Sequence, residues 1–126
     1  HKRLRVAGRK ELSACILATG LPFMGRPGHE QALAEVTLMM TQTAGIRRFG
    51  TAALDLAYVA AGRFDGFWER GIQAWDMAAG ILLVREAGGM IADLDGGQDM
   101  LTKGSILVAN ETLQPHLLKL LKSVKA

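Results

Sequence analysis

Trp75-Asp76-Met77-Ala78-Ala79-Gly80-Ile81-Leu82-Leu83-Val84-Arg85-Glu86-Ala87-Gly88-Gly89 sets one carboxylate at the start of a run of small and apolar residues. Ala78, Ala79, Ile81, Leu82, Leu83 and Ala87 favour a helix from about Trp75 to Ala87, and Gly88-Gly89 supplies the left-handed stop that ends one. In the first turn of such a helix Asp76 meets unpaired backbone N–H groups and the positive end of the helix dipole, both of which favour negative charge. Two roles follow from the segment alone. Asp76 either caps the helix, the commoner use of an aspartate there, or it is a rigidly mounted carboxylate suited to a divalent metal. Besides Asp76 and Glu86, little in the stretch is able to do polar chemistry.

The chain has 126 residues, 49% of them apolar and 21% charged, a balance that suits one globular domain with a real core. Its net charge of +3 gathers in small basic groups at Lys2-Arg3-Arg5, Arg9-Lys10 and Lys119-Lys122-Lys125. The last group follows helical spacing beside leucines, which describes a solvated helix face, so no nucleic-acid interface is expected. Cys15 is the only cysteine and lies in the apolar run Ala14-Cys15-Ile16-Leu17-Ala18, as a buried thiol in a reducing compartment would. The uncharged stretch Met77 to Val84 is far short of a membrane span, and the N-terminus shows no signal-peptide pattern. The expectation is a cytoplasmic protein with no membrane partner.

Leu4 and Val6 alternate with Arg3, Arg5 and Ala7 as in a half-buried strand. Ala14 to Thr19 is a continuous apolar run closed by Gly20 and Pro22, as in a strand covered on both faces. A helix is predicted from His29 to about Thr43 with Leu33, Val36 and Met40 inward, then a short strand over Ile46 to Phe49. Gly50-Thr51 opens a second helix with Leu54, Ala57, Tyr58 and Ala61 inward, ended by Gly62, and Phe64 to Glu69 is the next strand. Beyond the Asp76 helix come strands near Met90 to Ala92 and Ser105 to Ala109. A last amphipathic helix opens near Asn110, with Leu117, Leu118, Leu121 and Val124 inward. Such alternation with short links describes an α/β layered domain.

Gly50-Thr51-Ala52 opens a helix directly after a strand, so its backbone N–H groups are either an ordinary helix start or a cradle for an oxygen-rich ligand. Glu69 ends a strand seven residues before Asp76, and Gly71 lets the chain fold back, so two carboxylates and a helix terminus are able to share one cleft. Arg63 and Asp65 read as turn and edge polar groups. His1, His29 and His116 have no ligand spacing, so no zinc site is expected. Asp93-Leu94-Asp95-Gly96-Gly97 lacks the later acidic positions of a calcium loop and reads as a turn.

Four segments in order carry a resemblance. They are Ile16-Leu17-Ala18-Thr19-Gly20-Leu21-Pro22-Phe23, Arg48-Phe49-Gly50-Thr51-Ala52-Ala53-Leu54-Asp55 running on to Gly62, Asp65-Gly66-Phe67-Trp68-Glu69, and Trp75-Asp76. Together they resemble the C-terminal half of an inositol monophosphatase, closest to the bacterial SuhB-like subgroup. The resemblance implies a mostly parallel mixed sheet flanked by helices, the C-terminal half of an αβαβα sandwich, with residues 1–126 as one domain. It implies that Asp76 binds a catalytic Mg2+ ion, that Glu69 holds substrate hydroxyls, and that the backbone of Gly50, Thr51 and Ala52 faces the sugar ring. The family's upstream glutamate pair and Asp-Pro-x-Asp-Gly-Thr motif have no counterpart, since no Asp-Pro pair occurs in the chain.

The expectation is therefore a domain-sized piece of an enzyme roughly twice as long, beginning just before the Leu4–Val6 strand and inactive alone. The whole enzyme would be a magnesium-dependent, homodimeric phosphomonoesterase acting on inositol monophosphate or a related polyol or sugar phosphate. The resemblance also implies an alternative, a SuhB-like protein-binding role in transcription complexes that uses a surface and not the cleft.

Overall fold

The computed structural model describes residues 4–124; His1, Lys2 and Arg3 of the basic N-terminal group and Lys125 of the C-terminal one lie outside them. Five strands, β1 (Ile16–Thr19), β2 (Gly45–Arg47), β3 (Gly66–Arg70), β4 (Met90–Ala92) and β5 (Ser105–Ala109), form one sheet in the order β2-β1-β3-β5-β4. The helices are α1 (His29–Gln42), α2 (Ala52–Ala60), α3 (Ala74–Glu86), a single turn α4 (Met100–Lys103) and α5 (Leu113–Ser123). β1 runs parallel to β2 and β3, whereas β5 runs antiparallel to β3 and β4, so the expected mixed sheet has a parallel half and an antiparallel half.

The period of two along each strand builds two cores, one per face. Ala18, Phe67, Ile106 and Val108 pack with Leu56, Val59, Met77, Ile81 and Val84 of α2 and α3. Leu17, Trp68, Leu107 and Ala109 pack on the other face with Met39 of α1 and Leu113, Leu117 and Leu121 of α5. Covering on both sides explains why β1 is an unbroken apolar run. Gly88, at φ +87°, ends α3 as its sequence predicts, with Gly89 N–H donating to the Val84 carbonyl at 2.9 Å.

Several expectations are corrected. Leu4–Val6 is not a strand of this sheet; with the residues that follow it forms a strap of irregular structure. It is held by the Val6 N–H on the Ala87 carbonyl at 3.0 Å and by Asn110 Nδ2 on the Ala7 and Arg9 carbonyls. The same Asn110 also accepts, through Oδ1, from Thr112 and Leu113 N–H in the turn that leads into α5, whose N-cap is Thr112. In α1 the inward residues are Glu35 and Met39, while Leu33 and Met40 are 59% and 61% exposed. In α2 the inward face is Asp55, Leu56, Val59 and Ala60, and Leu54 is exposed. Asp65 is buried: it accepts from Ile16 N–H at 2.8 Å and pairs with Arg9 at 3.2 Å.

The Asp93 turn is a turn, as its sequence implies. Burial raises the Asp93 carboxyl, but hydrogen bonds from Asp99, Gly97 and Asp95 N–H at 2.9–3.0 Å outweigh it and hold the carboxyl below its ordinary value.

Asp55 is the opposite case, with burial pushing its carboxyl up to about 6. Folding therefore favours protonated Asp55: this contribution is full below about pH 4 and is lost as pH rises to about 6, on the order of 3 kcal/mol in all. Thermal melts of the chain and of Asp55→Asn are expected to diverge across that interval, with the variant the more stable at pH 7. Parallel curves would show that Asp55 bears no such cost. The exposed apolar side chains of α1, with Trp75 at 76% exposure and Leu82 on α3, lead to a second expectation. The chain binds a hydrophobic dye more strongly than a relative of twice its length does, by fluorescence titration, and a dye-silent chain would overturn this.

Candidate active site

The parallel strands β1, β2 and β3 all end at one side of the sheet, and the chain turns away there at Gly20, Arg48 and Gly71. The diverging turns leave a cavity of about 590 Å³. Every residue singled out from sequence lines it: Gly50, Thr51 and Ala52 from the start of α2, Glu69 from the end of β3, and Asp76 from the first turn of α3.

The turn before α2 is fixed by its neighbours. Phe49 stacks on Phe64 with ring centroids 5.6 Å apart and meets Tyr58 edge-on, and Tyr58 meets Phe64 likewise. Gly50 then turns with φ +83° and brings Thr51, the N-cap of α2, to the cavity. On the other side, Gln73 is the N-cap of α3, so Asp76 is not the cap. The Asp76 carboxylate is exposed and takes no hydrogen bond among the described residues, which leaves its oxygens available to a ligand.

Glu69 is half-buried, and its carboxyl lies against Gly20, where a Cβ would fall 2.0 Å from the Glu69 carboxyl carbon. Any side chain at Gly20 displaces Glu69. Burial pushes the Glu69 carboxyl up to about 7; the charge of Asp55 adds to the rise, Arg48 opposes it and Asp76 adds a little.

Sequence reasoning missed the far wall. Arg70 donates to Glu35 Oε2 from Nε at 3.0 Å and from one terminal nitrogen at 2.8 Å, tying α1 to the end of β3. Glu35 is 1% exposed, and the only hint of it was a glutamate at a core-spaced position of α1. Arg26 and Arg48 also line the cavity, so cations and carboxylates face each other across it. Among the described residues no group of three or more His, Cys, Asp or Glu side chains is placed to hold a metal ion. Asp76 alone does not make a metal site.

The chain is similar to known proteins over nearly its whole length. The chain is 56% identical over 121 residues to the inositol-1-monophosphatase of Mesorhizobium japonicum, covering 96% of this chain and 46% of that protein. It is 50% identical over 126 residues to the Nus factor SuhB of Pseudomonas aeruginosa, with 92% and 46% covered. The crystal structure of the extragenic suppressor protein suhB from Bartonella henselae superposes with a TM-score of 0.93 at 54% identity, over 97% of this chain and 46% of that one. The chain thus spans about half the length of the relatives it matches. With the sequence model of the inositol monophosphatase family matching residues 1–126, and the cavity assembled from the motifs that suggested it, the chain belongs to the inositol monophosphatase family.

Proposed function

We propose that this chain is the C-terminal part of a magnesium-dependent phosphomonoesterase that hydrolyses inositol monophosphate or a related polyol or sugar phosphate. The observation that carries the proposal is the convergence of Gly50, Thr51, Ala52, Glu69 and Asp76 on one cavity beyond the carboxyl ends of parallel strands, where open α/β sheets bind ligands. Asp76 is the proposed catalytic and metal-binding carboxylate. Glu69 accepts hydroxyls of the polyol, and the backbone of Gly50, Thr51 and Ala52 faces the ring. Bound Mg2+ supplies an activated water and neutralises charge on the phosphoryl oxygens. The remaining metal ligands belong to the rest of the enzyme, because the described residues do not assemble a metal site.

Homodimerisation is part of the same proposal, supported by the exposed apolar side chains of α1 and α3, and so is a cytoplasmic location. No helix among the described residues is long and apolar enough to cross a membrane. A second reading rests on the same exposed side chains and on the relative named Nus factor SuhB: a protein-binding role in transcription complexes, independent of the cavity. Substituting Asp76 and, separately, Leu33 with Met40 separates the two: loss of turnover with the transcription role kept in the Asp76 variant marks two independent functions, and the oligomeric state of the Leu33 and Met40 variant shows whether those side chains serve dimerisation instead.

The chain by itself is expected to release no phosphate from inositol 1-phosphate with Mg2+, because one metal-binding carboxylate is too few. Chelator-sensitive turnover comparable to a whole family enzyme would contradict this. In a whole enzyme carrying the chain, Asp76→Asn is expected to lower kcat by about 100-fold or more, whereas Glu69→Gln mainly raises KM and alters selectivity among polyol phosphates. Steady-state kinetics on several sugar phosphates decides, and a near-normal kcat for Asp76→Asn removes it from the metal site.

A further inference from the structure

Glu69 and Arg70 follow one another at the end of β3, and the period of two along a strand sends them to opposite faces of the sheet. Phe67 packs with α2 and α3 and Trp68 with α1 and α5, so Glu69 belongs to the α2–α3 side and Arg70 to the α1 side. The cavity straddles the edge of the sheet and is lined by both. The proposed reaction uses the first side only, through Glu69, Asp76 and the Gly50–Ala52 turn. The second side also carries charge and has no assigned task.

Arg70 is held there by direct contacts. The Glu35 side chain is 2% exposed, and its Oε2 accepts from Arg70 Nε at 3.0 Å, from Arg70 Nη2 at 2.8 Å and from Gln31 Nε2 at 3.3 Å. A buried carboxylate engaged in this way is a fixed anchor for the guanidinium. Only one edge of that guanidinium is spent on it. Arg70 Nη1 makes no hydrogen bond among the described residues, and the Arg70 side chain is 42% exposed where it lines the cavity. The lining charges also divide unequally. Arg48, from the link into α2, stands with Glu69 and Asp76, one cation to two acids, which suits a metal ion. Arg26, from the link between β1 and α1, and Arg70 stand with Glu35, two cations to one acid. Arg26 makes no ion pair among the described residues and lies over the Phe23 ring, 5.0 Å from its centroid.

We propose that the α1 side of the cavity is a second anion subsite, in which Arg70, anchored by Glu35, binds a carboxylate or a second phosphoryl group of the substrate and Arg26 supplies the surplus positive charge. The phosphoryl group to be cleaved goes to the Asp76 side. The free edge of a guanidinium offers parallel N–H donors that match either anionic group, whereas a neutral hydroxyl calls for no surplus charge. A cavity of about 590 Å³ has room for a polyol with an anionic group at each end. The inference deepens the proposed function and rests on it: the preferred substrate is a doubly anionic polyol phosphate, and Arg70 is the residue that selects it.

Three matched probes provide the test: glucitol 6-phosphate, with no second anion; 6-phosphogluconate, with a carboxylate at the far end; and glucitol 1,6-bisphosphate, with a phosphoryl group there. A whole enzyme carrying the chain is compared with Arg70→Met and with the double variant Glu35→Met, Arg70→Met, which leaves no buried acid unpaired, and thermal melts confirm that each is folded. In calorimetry with Mg2+ withheld, the parent is expected to bind at least one doubly anionic probe about 10-fold more tightly than glucitol 6-phosphate, and the probe so favoured identifies the group. In the variants that advantage falls to about twofold or less. An advantage absent from the parent, or kept in the folded variants, would overturn the subsite, as would a loss of affinity shared equally by all three probes. Steady-state kinetics with Mg2+ is expected to show the same pattern in the ratios of kcat/KM. If binding depends on Arg70 while neither the probes nor inositol 1-phosphate are hydrolysed, the proposed function fails and the subsite remains. Hydrolysis with ratios indifferent to Arg70 overturns the subsite and leaves the proposed function standing.

Discussion

Gly80 sets the distance between α2 and α3, and the cavity depends on that distance. A Cβ there would lie 2.5 Å from Leu56 Cδ1 and 2.6 Å from Leu56 Cβ, so the two helices approach as closely as they do only because position 80 is bare. Leu56 is fully buried in the gap beside Met77 and Val84. The N-terminal turns of both helices, with Thr51 on one and Asp76 on the other, consequently open on the same space. A larger residue at 80 would wedge the helices apart and separate the turn proposed to face the ring from the carboxylate proposed to hold the metal.

The electrostatics of the cavity follow from how each carboxylate is mounted. Asp76 stands in solvent on the first turn of α3, and Glu69 is half-covered, raised by burial and by the charge of Asp55. Glu35 is buried outright but engaged by Arg70. Three acids of the same chemistry are thereby given three different characters by depth and neighbours alone: an open carboxylate, one whose proton is held more tightly, and a structural anchor.

Much of this was legible in the sequence, for physical reasons that differ from element to element. β1 was readable because a strand covered on both faces has no polar position, and α3 because Gly88 marks its end unambiguously. The five cavity residues were legible as a set because the motifs that hold them resemble, in order, those of one family; strand-to-helix position alone left each open to an ordinary structural reading. The inward face of α1 was not. Leu33 and Met40 are apolar and exposed, while the helix turns a glutamate inward whose partner Arg70 lies 35 residues away, a pairing no local pattern encodes. Leu4–Val6 alternates like a strand, yet Val6 N–H donates to the Ala87 carbonyl at the end of α3, and the Ala7 and Arg9 carbonyls just beyond accept from Asn110, over 100 residues distant. α4 is too short to show periodicity, and Asp55 was concealed inside an apolar helix where a carboxylate is least expected.

The position of β3 carries a consequence for how the molecule assembles. It is the central strand, bonded on one side to β1, 49 residues earlier in the chain, and on the other to β5, with α3, β4 and α4 intervening. Neither of its ladders closes a local hairpin, so each demands a long loop closure before any strand pairing repays it. The segment able to gain contacts early is α2–β3–α3, whose two helices meet at Leu56 and Gly80. Folding would then nucleate on that unit, and the outer strands would dock on it late. A newly made chain would therefore carry its ligand-facing turns in rough register before its sheet is complete.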